Sequence, residues 1–287
     1  MEKRNKLFSQ PVTDIIKKRV SMRTYEKGPM PAEQKSAIKD YFGKLTGPFE
    51  VKIRYALLEK PEQKEEDLKL GTYGVIRGAS AFIAAAVEKK PYNMEQLGYQ
   101  MEELILYATS LGLGTCWLAG TFSRSNFIKA IGAGKDELVP VVVPVGPPRE
   151  KRSLLDTVMR SAAGSTKRKA WTELFFKGNF ESPLDESSAG AYAVPLEMVR
   201  LAPSASNKQP WRILHSGGSC HFYLKHAGIY SNALGFDVQK IDIGIAMLHF
   251  EAAAREAGLS GSWKLDKPEI SQASEQLEYI ISWVPVS

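Results

Sequence analysis

Two basic segments of this 287-residue chain carry side chains that suit an anionic ligand. In the first, Arg19, Ser21 and Arg23 place two guanidinium groups and one hydroxyl at alternate positions. Guanidinium groups hold phosphate oxygens through charge-assisted hydrogen bonds, often two at a time, so we expect a phosphate ligand. The second segment adds three cations: Arg149, Lys151 and Arg152. For both segments the alternative is an ordinary solvated surface.

A loop of small and polar residues occupies positions 202–211 and reads APSASNKQPW. Small side chains allow close approach to a flat aromatic ring, and the serine and asparagine side chains can direct polar groups at it. The predicted ligand contacts are six residues of this loop: Pro203, Ser204, Ala205, Ser206, Asn207 and Gln209. The alternative is a turn in which serine and asparagine only satisfy the backbone. Trp211 can be interpreted either as core or as a contact.

A glycine-rich exit, GLGTCW, follows the helical pattern of residues 97–111. Gly114 permits close approach of the backbone to a ligand, and Thr115 follows it directly. We predict that these two residues contact the ligand, and a plain helix C-cap is the alternative. Cys116 comes next, and we interpret it as a small buried side chain rather than a redox group.

The composition is that of a globular protein and excludes several functional classes. The net charge is +6, but the richest basic run, Lys167-Arg168-Lys169, is short and is interpreted as a solvated linker. No nucleic-acid partner is therefore expected. Two cysteines and four separated histidines indicate neither a disulfide framework, nor a metal site, nor a nucleophilic triad. The start lacks a signal-like core and no apolar stretch reaches membrane length, so we predict a cytoplasmic protein without a membrane partner.

A sequence repeat divides the chain. The segment that starts at Gly98 matches the segment that starts at Gly244 without a gap, and each is a helical pattern, a glycine exit and then an apolar, β-rich run. Six pairs are identical: Gly98/Gly244, Met101/Met247, Ala108/Ala254, Gly112/Gly258, Leu113/Leu259 and Trp117/Trp263. We predict an internal duplication with halves 1–160 and 161–287. Chance similarity between helices of small and apolar residues is the alternative.

The two halves differ in the chemistry that they carry. The basic cluster Arg19–Arg23 has no counterpart in the second half, and the loop 202–211 has none in the first. The candidate binding chemistry is therefore divided between the two halves.

Together, four motifs resemble the nitroreductase superfamily, whose members use FMN: RVSMR at 19–23, GLGTCW at 112–117, VGPPREKR at 145–152 and APSASNKQPW at 202–211. An ordinary member holds its motifs in one domain and dimerises, with each flavin at the subunit interface. Here the basic cluster and the loop lie in different halves, which resembles a fused type, the TM nitroreductase family. The resemblance implies a monomer that imitates the family homodimer and binds one FMN.

The resemblance also implies roles for the predicted residues. The basic segments would bind the FMN phosphate, and Ser21 would bind the phosphate or the ribityl chain. The loop 203–207 would lie over the isoalloxazine, while the backbone near Gly114 and Thr115 would face its pyrimidine and N5 edge. The implied fold is α+β and nitroreductase-like. In each of two pseudo-symmetric halves, a small mixed or antiparallel sheet is flanked by helices, one of them long and central.

The expected function is NAD(P)H-dependent reduction of a small acceptor, such as a nitro compound or a quinone. The resemblance implies a ping-pong reaction, in which NAD(P)H gives a hydride to flavin N5 and the acceptor then takes the electrons. Because the flavin carries the chemistry, no catalytic side chain is predicted. Two alternatives stay open. One is a flavin-fragmenting or reductive dehalogenating enzyme on the same fold, and the other is a degenerate protein that binds FMN without turnover.

Overall fold

The chain forms two five-stranded sheets in the computed structural model, which describes residues 7–60, 70–149, 167–226, 234–269 and 276–286. The first sheet contains β1 (Ile53–Glu59), β2 (Ala81–Glu88), β3 (Gly114–Thr115), β4 (Glu137–Leu138) and β5 (Val142–Gly146). The second contains β6 (Phe175–Lys177), β7 (Trp211–Ser216), β8 (Ser219–Lys225), β9 (Gly261–Lys264) and β10 (Leu277–Pro285). The described helices are α1 (Val12–Lys18), α2 (Ala32–Phe42), α3 (Asn93–Ser110), α4 (Arg124–Ile131), α5 (Trp171–Leu174), α6 (Ala193–Leu201) and α7 (Val238–Glu256).

The two sheets share a strand order. The first runs β1-β2-β5-β3, with β4 beside β2, and the second runs β6-β7-β8-β10-β9. Apart from the parallel pair β6–β7, the neighbouring strands are antiparallel. By position in the sheet, β1 corresponds to β7, β2 to β8, β5 to β10 and β3 to β9. In each half the long helix follows the second strand of that order, and the predicted α+β fold is confirmed.

The long helices α3 and α7 form the centre of the molecule, and most of their residues are buried. Glycine allows the two backbones to meet. A Cβ atom added at Gly98 would lie 2.1 Å from the carbonyl oxygen of Ile241, and one at Gly244 would lie 2.0 Å from that of Glu95. Glu95 and Ile241 have the same separation along the chain as the two glycines. The contact is therefore reciprocal, as it is across a two-fold axis.

The two helices also end in the same way. After α3, Gly112 adopts φ +77°, and the amide of Leu113 donates to the carbonyl oxygen of Ala108 at 2.9 Å. After α7, Gly258 adopts φ +79°, and the amide of Leu259 makes the matching bond at 2.9 Å. A left-handed glycine with this hydrogen bond is a Schellman-type C-cap, which satisfies the last carbonyls and stops the helix.

We expect Gly98→Ala to destabilise the protein by about 1–3 kcal/mol, because the new methyl group overlaps backbone in a packed core. The higher helix propensity of alanine acts in the opposite direction. The sign of the change in the free energy of unfolding therefore shows which of the two effects is larger. Urea unfolding measures the difference. The control is Gly43→Ala at the end of α2, where φ is −72° and an added Cβ meets nothing within 4 Å. Equal stability of the two variants would contradict the close helix contact.

The apolar, β-rich run that follows the first glycine exit spans residues 138–145, and its pattern predicts one strand. It forms the two strands β4 and β5 instead, because Pro140 between them has no amide to donate to a ladder. The predicted boundary between residues 160 and 161 lies outside the described residues. Within the described ranges, no helix is both long enough and apolar enough to cross a membrane.

Candidate functional site

A cleft of about 280 Å³ lies between the two halves, close to the lower end of the volumes typical of ligand sites. Its walls combine the basic cluster, the segment after β3, the loop before β7 and one face of α7. The lining residues are Arg19, Ser21, Arg23, Cys116, Trp117, Ala119, Val141, Arg168, Pro203, Ser204, Ala205, Ser206, Asn207, Val238, Ile241, Asp242 and Ile245. The structure thus brings together the first basic cluster and the five loop residues 203–207, which the sequence predicts to share a site.

Arg19 is held at the end of α1 by a buried acid. It is the C-cap residue of that helix and has extended backbone (φ −60°, ψ 124°), so the chain leaves the helix there and turns into the cleft. Its guanidinium Nε lies 3.7 Å from Oε1 of Glu102, and the side chain is only 9% exposed. Glu102 on α3 is itself fully buried. A charged group held in this way has few conformations to lose when it binds an anion.

The rest of the basic cluster lies against β3. Ser21 forms a parallel bridge with Thr115, and the amide of Met22 donates to the carbonyl oxygen of Thr115 at 2.7 Å. A Cβ atom added at Gly114 would lie 2.8 Å from Cγ of Met22, so glycine is needed for this close approach. Gly114 and Thr115 are buried and do not line the cleft. In the structure they contact Ser21 and Met22 of the basic segment.

Arg168 was missed as a site residue, and the interpretation of 167–169 as a solvated linker is wrong at this position. Its Nη1 donates to Oδ1 of Asn207 at 2.7 Å and its Nη2 to the carbonyl oxygen of Leu201 at 3.0 Å. Burial, and then the charges of Arg19 and Arg200, lower the pKa of Arg168 to about 10. The guanidinium of Arg168 therefore stays charged at neutral pH, although the positive charges of Arg19 and Arg200 repel it.

The loop 203–209 has a strained backbone. Ser206, Asn207 and Gln209 have positive φ angles of 48°, 54° and 49°, which residues other than glycine adopt uncommonly. The amide of Gln209 donates to Oγ of Ser204 at 2.9 Å, and this bond closes the loop. Strain of this kind persists where the surroundings enforce it, and it is common at binding sites.

Asn207 and Gln209 both bind the segment that carries Arg168. Nδ2 of Asn207 donates to the carbonyl oxygen of Lys167 at 2.8 Å, and the amide of Lys169 donates to Oε1 of Gln209 at 2.9 Å. Gln209 is 3% exposed and does not line the cleft. The contacts therefore assign it to positioning, whereas Asn207 both lines the cleft and orients Arg168.

Asp242 is an acid in the cleft wall on α7, and its side chain has one free oxygen. Oδ1 accepts a hydrogen bond from the amide of Ala205 at 2.9 Å. Oδ2 is buried and has no hydrogen-bond partner among the described residues. Burial raises the pKa of Asp242 well above its usual range, and the nearby Asp237 raises it further. The carboxyl group is therefore neutral at a pH where an exposed aspartate is charged.

Apolar side chains form the remaining walls. Val238, Ile241 and Ile245 lie on one face of α7, at helical spacing, and Val141 faces the same space from the strand region of the first sheet. The indole Nε1 of Trp117 donates to Oε2 of Glu102 at 2.8 Å, which fixes the ring beside the cleft. Such walls suit a flat ring system.

The second basic segment is not part of the cleft in the described residues. Arg149 is exposed, and its backbone amide donates to the carbonyl oxygen of Thr24 at 3.2 Å. Lys151 and Arg152 lie outside the described residues. Trp211 is fully buried and belongs to the core.

Besides the small and apolar residues of the cleft wall, the sequence reasoning missed Arg168, Trp117 and Asp242. For Asp242 the sequence did contain a signal, because an acid inside the apolar run IDIGIAML of a buried helix needs a special reason. Arg168 gave no such signal, since its role depends on the loop that folds against it. Among the described residues no group of histidine, cysteine and acid side chains could hold a metal ion. Cys116 and Cys220 are buried and not in disulfides.

Comparisons with known proteins agree on one family and fold. The family described as "Putative TM nitroreductase" matches residues 11–254. A crystal structure of a putative nitroreductase from Thermotoga maritima matches with a TM-score of 0.61 and 21% identity, over 96% of this chain and 94% of that chain. A nitroreductase with bound FMN from Bacteroides fragilis matches with a TM-score of 0.40 and 19% identity, over 51% of this chain and 92% of that chain. No curated protein matches the sequence.

Proposed function

The chain belongs to the putative TM nitroreductase family, and we propose that it is an FMN-dependent oxidoreductase with one flavin bound in the cleft between its halves. The observation that carries this proposal is that Arg19, Arg23 and Arg168 line one cleft together with a group of apolar side chains. Such a site fits a ligand with a phosphate group at one end and a flat ring at the other.

The arginines fit the phosphate end. An FMN phosphate carries about −1.5 to −2 charges near neutral pH, given a second pKa of about 6. Arg168 is destabilised by burial and by the charge of Arg19, and an anion between the two guanidinium groups would remove that repulsion. Among the described residues, Asp242 is the acid that lines the cleft, and burial raises its pKa well above the usual range, which weakens its competition for the arginines. Ser21 adds a hydroxyl on the same side.

The apolar walls and the loop fit the ring. Ile241 and Ile245 offer side chains from α7, and Trp117 offers an indole whose polar atom is already bonded to Glu102. The loop 203–207, which is hydrogen-bonded to α7 through Ala205, supplies small side chains that allow a ring to lie close to the backbone. These residues bind and orient the ligand and keep water away from it.

When bound, FMN supplies hydride transfer at its N5 atom, from NAD(P)H to the flavin and then to a small acceptor such as a nitro compound or a quinone. The side chains of this chain take no covalent part in the proposed chemistry. Their task would be to bind and orient the cofactor.

One site per chain is part of the proposal, together with a monomer in which two duplicated halves imitate a dimer. The reciprocal helix contact and the shared strand order support the duplication. In the first half, Gln96 stands at the position that corresponds to Asp242 in the repeat. Its Oε1 accepts from the amide of Phe49 at 2.9 Å. Phe49 in turn stacks on Tyr92, with ring centroids 4.6 Å apart. No counterpart of the Arg19–Arg23 cluster is present in the described part of the second half.

The proposal predicts a yellow protein with one FMN per chain. Flavin absorbance of the purified protein, or titration of the apoprotein with FMN, gives the stoichiometry, and size-exclusion chromatography with light scattering gives the mass. Addition of NADH or NADPH without oxygen is expected to bleach the flavin band, and a quinone is expected to restore it. Absence of FMN binding would refute the proposal. Binding without bleaching would refute only the NAD(P)H reductase activity.

A further inference from the structure

We propose that Asp242 is a direct ligand of the flavin ring, which it binds as a neutral carboxylic acid through the oxygen that the loop leaves free. This inference rests on the proposed function, since it concerns the same cleft. It adds a recognition residue on α7, in the same cleft as the basic cluster, and it specifies which partner donates the hydrogen.

The geometry assigns different tasks to the two carboxyl oxygens. Oδ1 accepts from the amide of Ala205 at 2.9 Å, so it is a carbonyl-type acceptor that anchors the loop. Oδ2 has no partner among the described residues, although the side chain lines the cleft and is only 2% exposed. A buried polar atom without a partner is destabilising, and native proteins keep few of them. A hydrogen bond to a bound ligand would recover that free energy.

The charges around Asp242 favour the neutral form. The carboxyl forms no ion pair with any described residue, and isolated buried carboxylates neutralise rather than stay charged. Asp237, at the start of the same helix, adds a negative charge that acts in the same direction. The loop facing Oδ1 contributes only uncharged side chains from 203 to 207. The cations lining the cleft are Arg19, Arg23 and Arg168.

The neutral acid has one hydrogen to give. With Oδ1 accepting from the loop, the hydrogen lies on Oδ2, and the group becomes a donor toward the ligand. The flavin ring carries acceptors that match it, namely carbonyl oxygens and ring nitrogens. The position that matches Asp242 in the other half supports this interpretation. There Gln96 is a neutral amide whose Oε1 accepts from the amide of Phe49 at 2.9 Å.

Two substitutions separate donor, acceptor and loop-anchor roles. In Asp242→Asn, the amide oxygen can still accept from Ala205, and the NH₂ group can still donate into the cleft. In Asp242→Ala, both bonds are lost. Apoprotein of each variant is titrated with FMN, and quenching of flavin fluorescence gives Kd. We expect Asp242→Asn to bind within about threefold of wild type at pH 6, and Asp242→Ala to bind about tenfold or more weakly.

The pH dependence completes the test. As pH rises from about 5 to about 9, the range in which strongly buried carboxyls titrate, wild type should lose its donor while Asp242→Asn keeps it. The wild-type Kd, relative to that of Asp242→Asn, is therefore expected to rise about tenfold or more. Ionisation of the FMN phosphate affects both proteins equally and cancels in the ratio. A role as loop anchor alone predicts the opposite trend, because a charged carboxylate accepts more strongly from the amide of Ala205.

Each remaining outcome overturns the inference. If both variants bind like wild type, Asp242 does not touch the ligand. If Asp242→Asn binds at least about tenfold more weakly than wild type at every pH, a charged carboxylate accepts from the ring instead. A ratio that falls as pH rises, with only Asp242→Ala impaired, leaves the loop anchor as the explanation, and a constant ratio shows that no donor to the ligand is lost on ionisation. If wild-type apoprotein binds no FMN, the proposed function fails, and this inference fails with it.

Discussion

Replacement of Arg19 and Arg23 together by alanine is expected to weaken FMN binding about a hundredfold or more. Each guanidinium is expected to make charge-assisted hydrogen bonds to the phosphate, and bonds of this kind contribute about 1.5–3 kcal/mol each. Two of them together correspond to about two to four factors of ten in Kd. Both arginines line the cleft, and Arg19 is held in place by Glu102, so little of this binding energy is offset by lost side-chain freedom.

Titration of the apoprotein with FMN measures this effect, and riboflavin provides a second ligand that lacks the phosphate. The double variant should lose affinity for FMN and change little toward riboflavin. Arg54→Ala is the matched control, because Arg54 is a surface arginine of the same half that pairs with Glu137 at 2.7 Å. A double variant that binds FMN as tightly as Arg54→Ala would show that the two arginines are only part of the protein surface.

The parts of the site that the sequence predicts are those whose chemistry lies within one short segment. Arg19, Ser21 and Arg23 follow each other at alternate positions, and the loop 203–207 is continuous, so a motif identifies them before any fold is known. Arg168 and Asp242 reach the same cleft from distant points of the chain. Arg168 does so because Asn207 accepts from its guanidinium, and no local pattern contains that information.

The role of Gly114 shows a different limit of sequence reasoning. A glycine indicates that something approaches closely, but not what approaches. The sequence favoured a ligand, whereas in the structure Met22 and Pro148 occupy the space that a Cβ atom would fill. The repeat was more informative. Its two glycines, Gly98 and Gly244, lie where the central helices cross, so the identity that suggested a duplication is also a packing requirement.

Glu102→Gln is expected to destabilise the protein by about 3–5 kcal/mol, the usual result of removing one partner from a buried ion pair. Glu102 is fully buried and contacts side chains from three elements. Its oxygens lie 3.7 Å from Nε of Arg19, 2.8 Å from Nε1 of Trp117 and 3.0 Å from Nε2 of His249. Nδ1 of His249 contacts the carbonyl oxygen of Met198 at 2.9 Å. The network therefore joins both halves directly behind the cleft.

A neutral amide can accept from some of these donors, but it leaves Arg19 without a counter-charge and turns an NH₂ group toward one of the others. Urea unfolding of the apoprotein measures the loss of stability. FMN affinity is expected to fall as well, by about tenfold, because Arg19 and Trp117 both depend on Glu102 for their orientation.

Glu251→Gln separates a local effect on the site from general destabilisation. Glu251 is a buried acid on α7 that accepts from Tyr99 at 2.5 Å and from Nε1 of Trp263 at 2.6 Å, and it also pairs with Arg255. It thus resembles Glu102 in burial and in its indole partner, yet neither it nor these partners line the cleft. Its loss should lower stability and leave the Kd for FMN within about twofold of wild type, since no ligand contact depends on it.

If both variants weaken FMN binding equally, loss of stability explains the effect, and Glu102 has no specific role in orienting Arg19. If only Glu102→Gln does so, the buried network behind the cleft is part of the binding site.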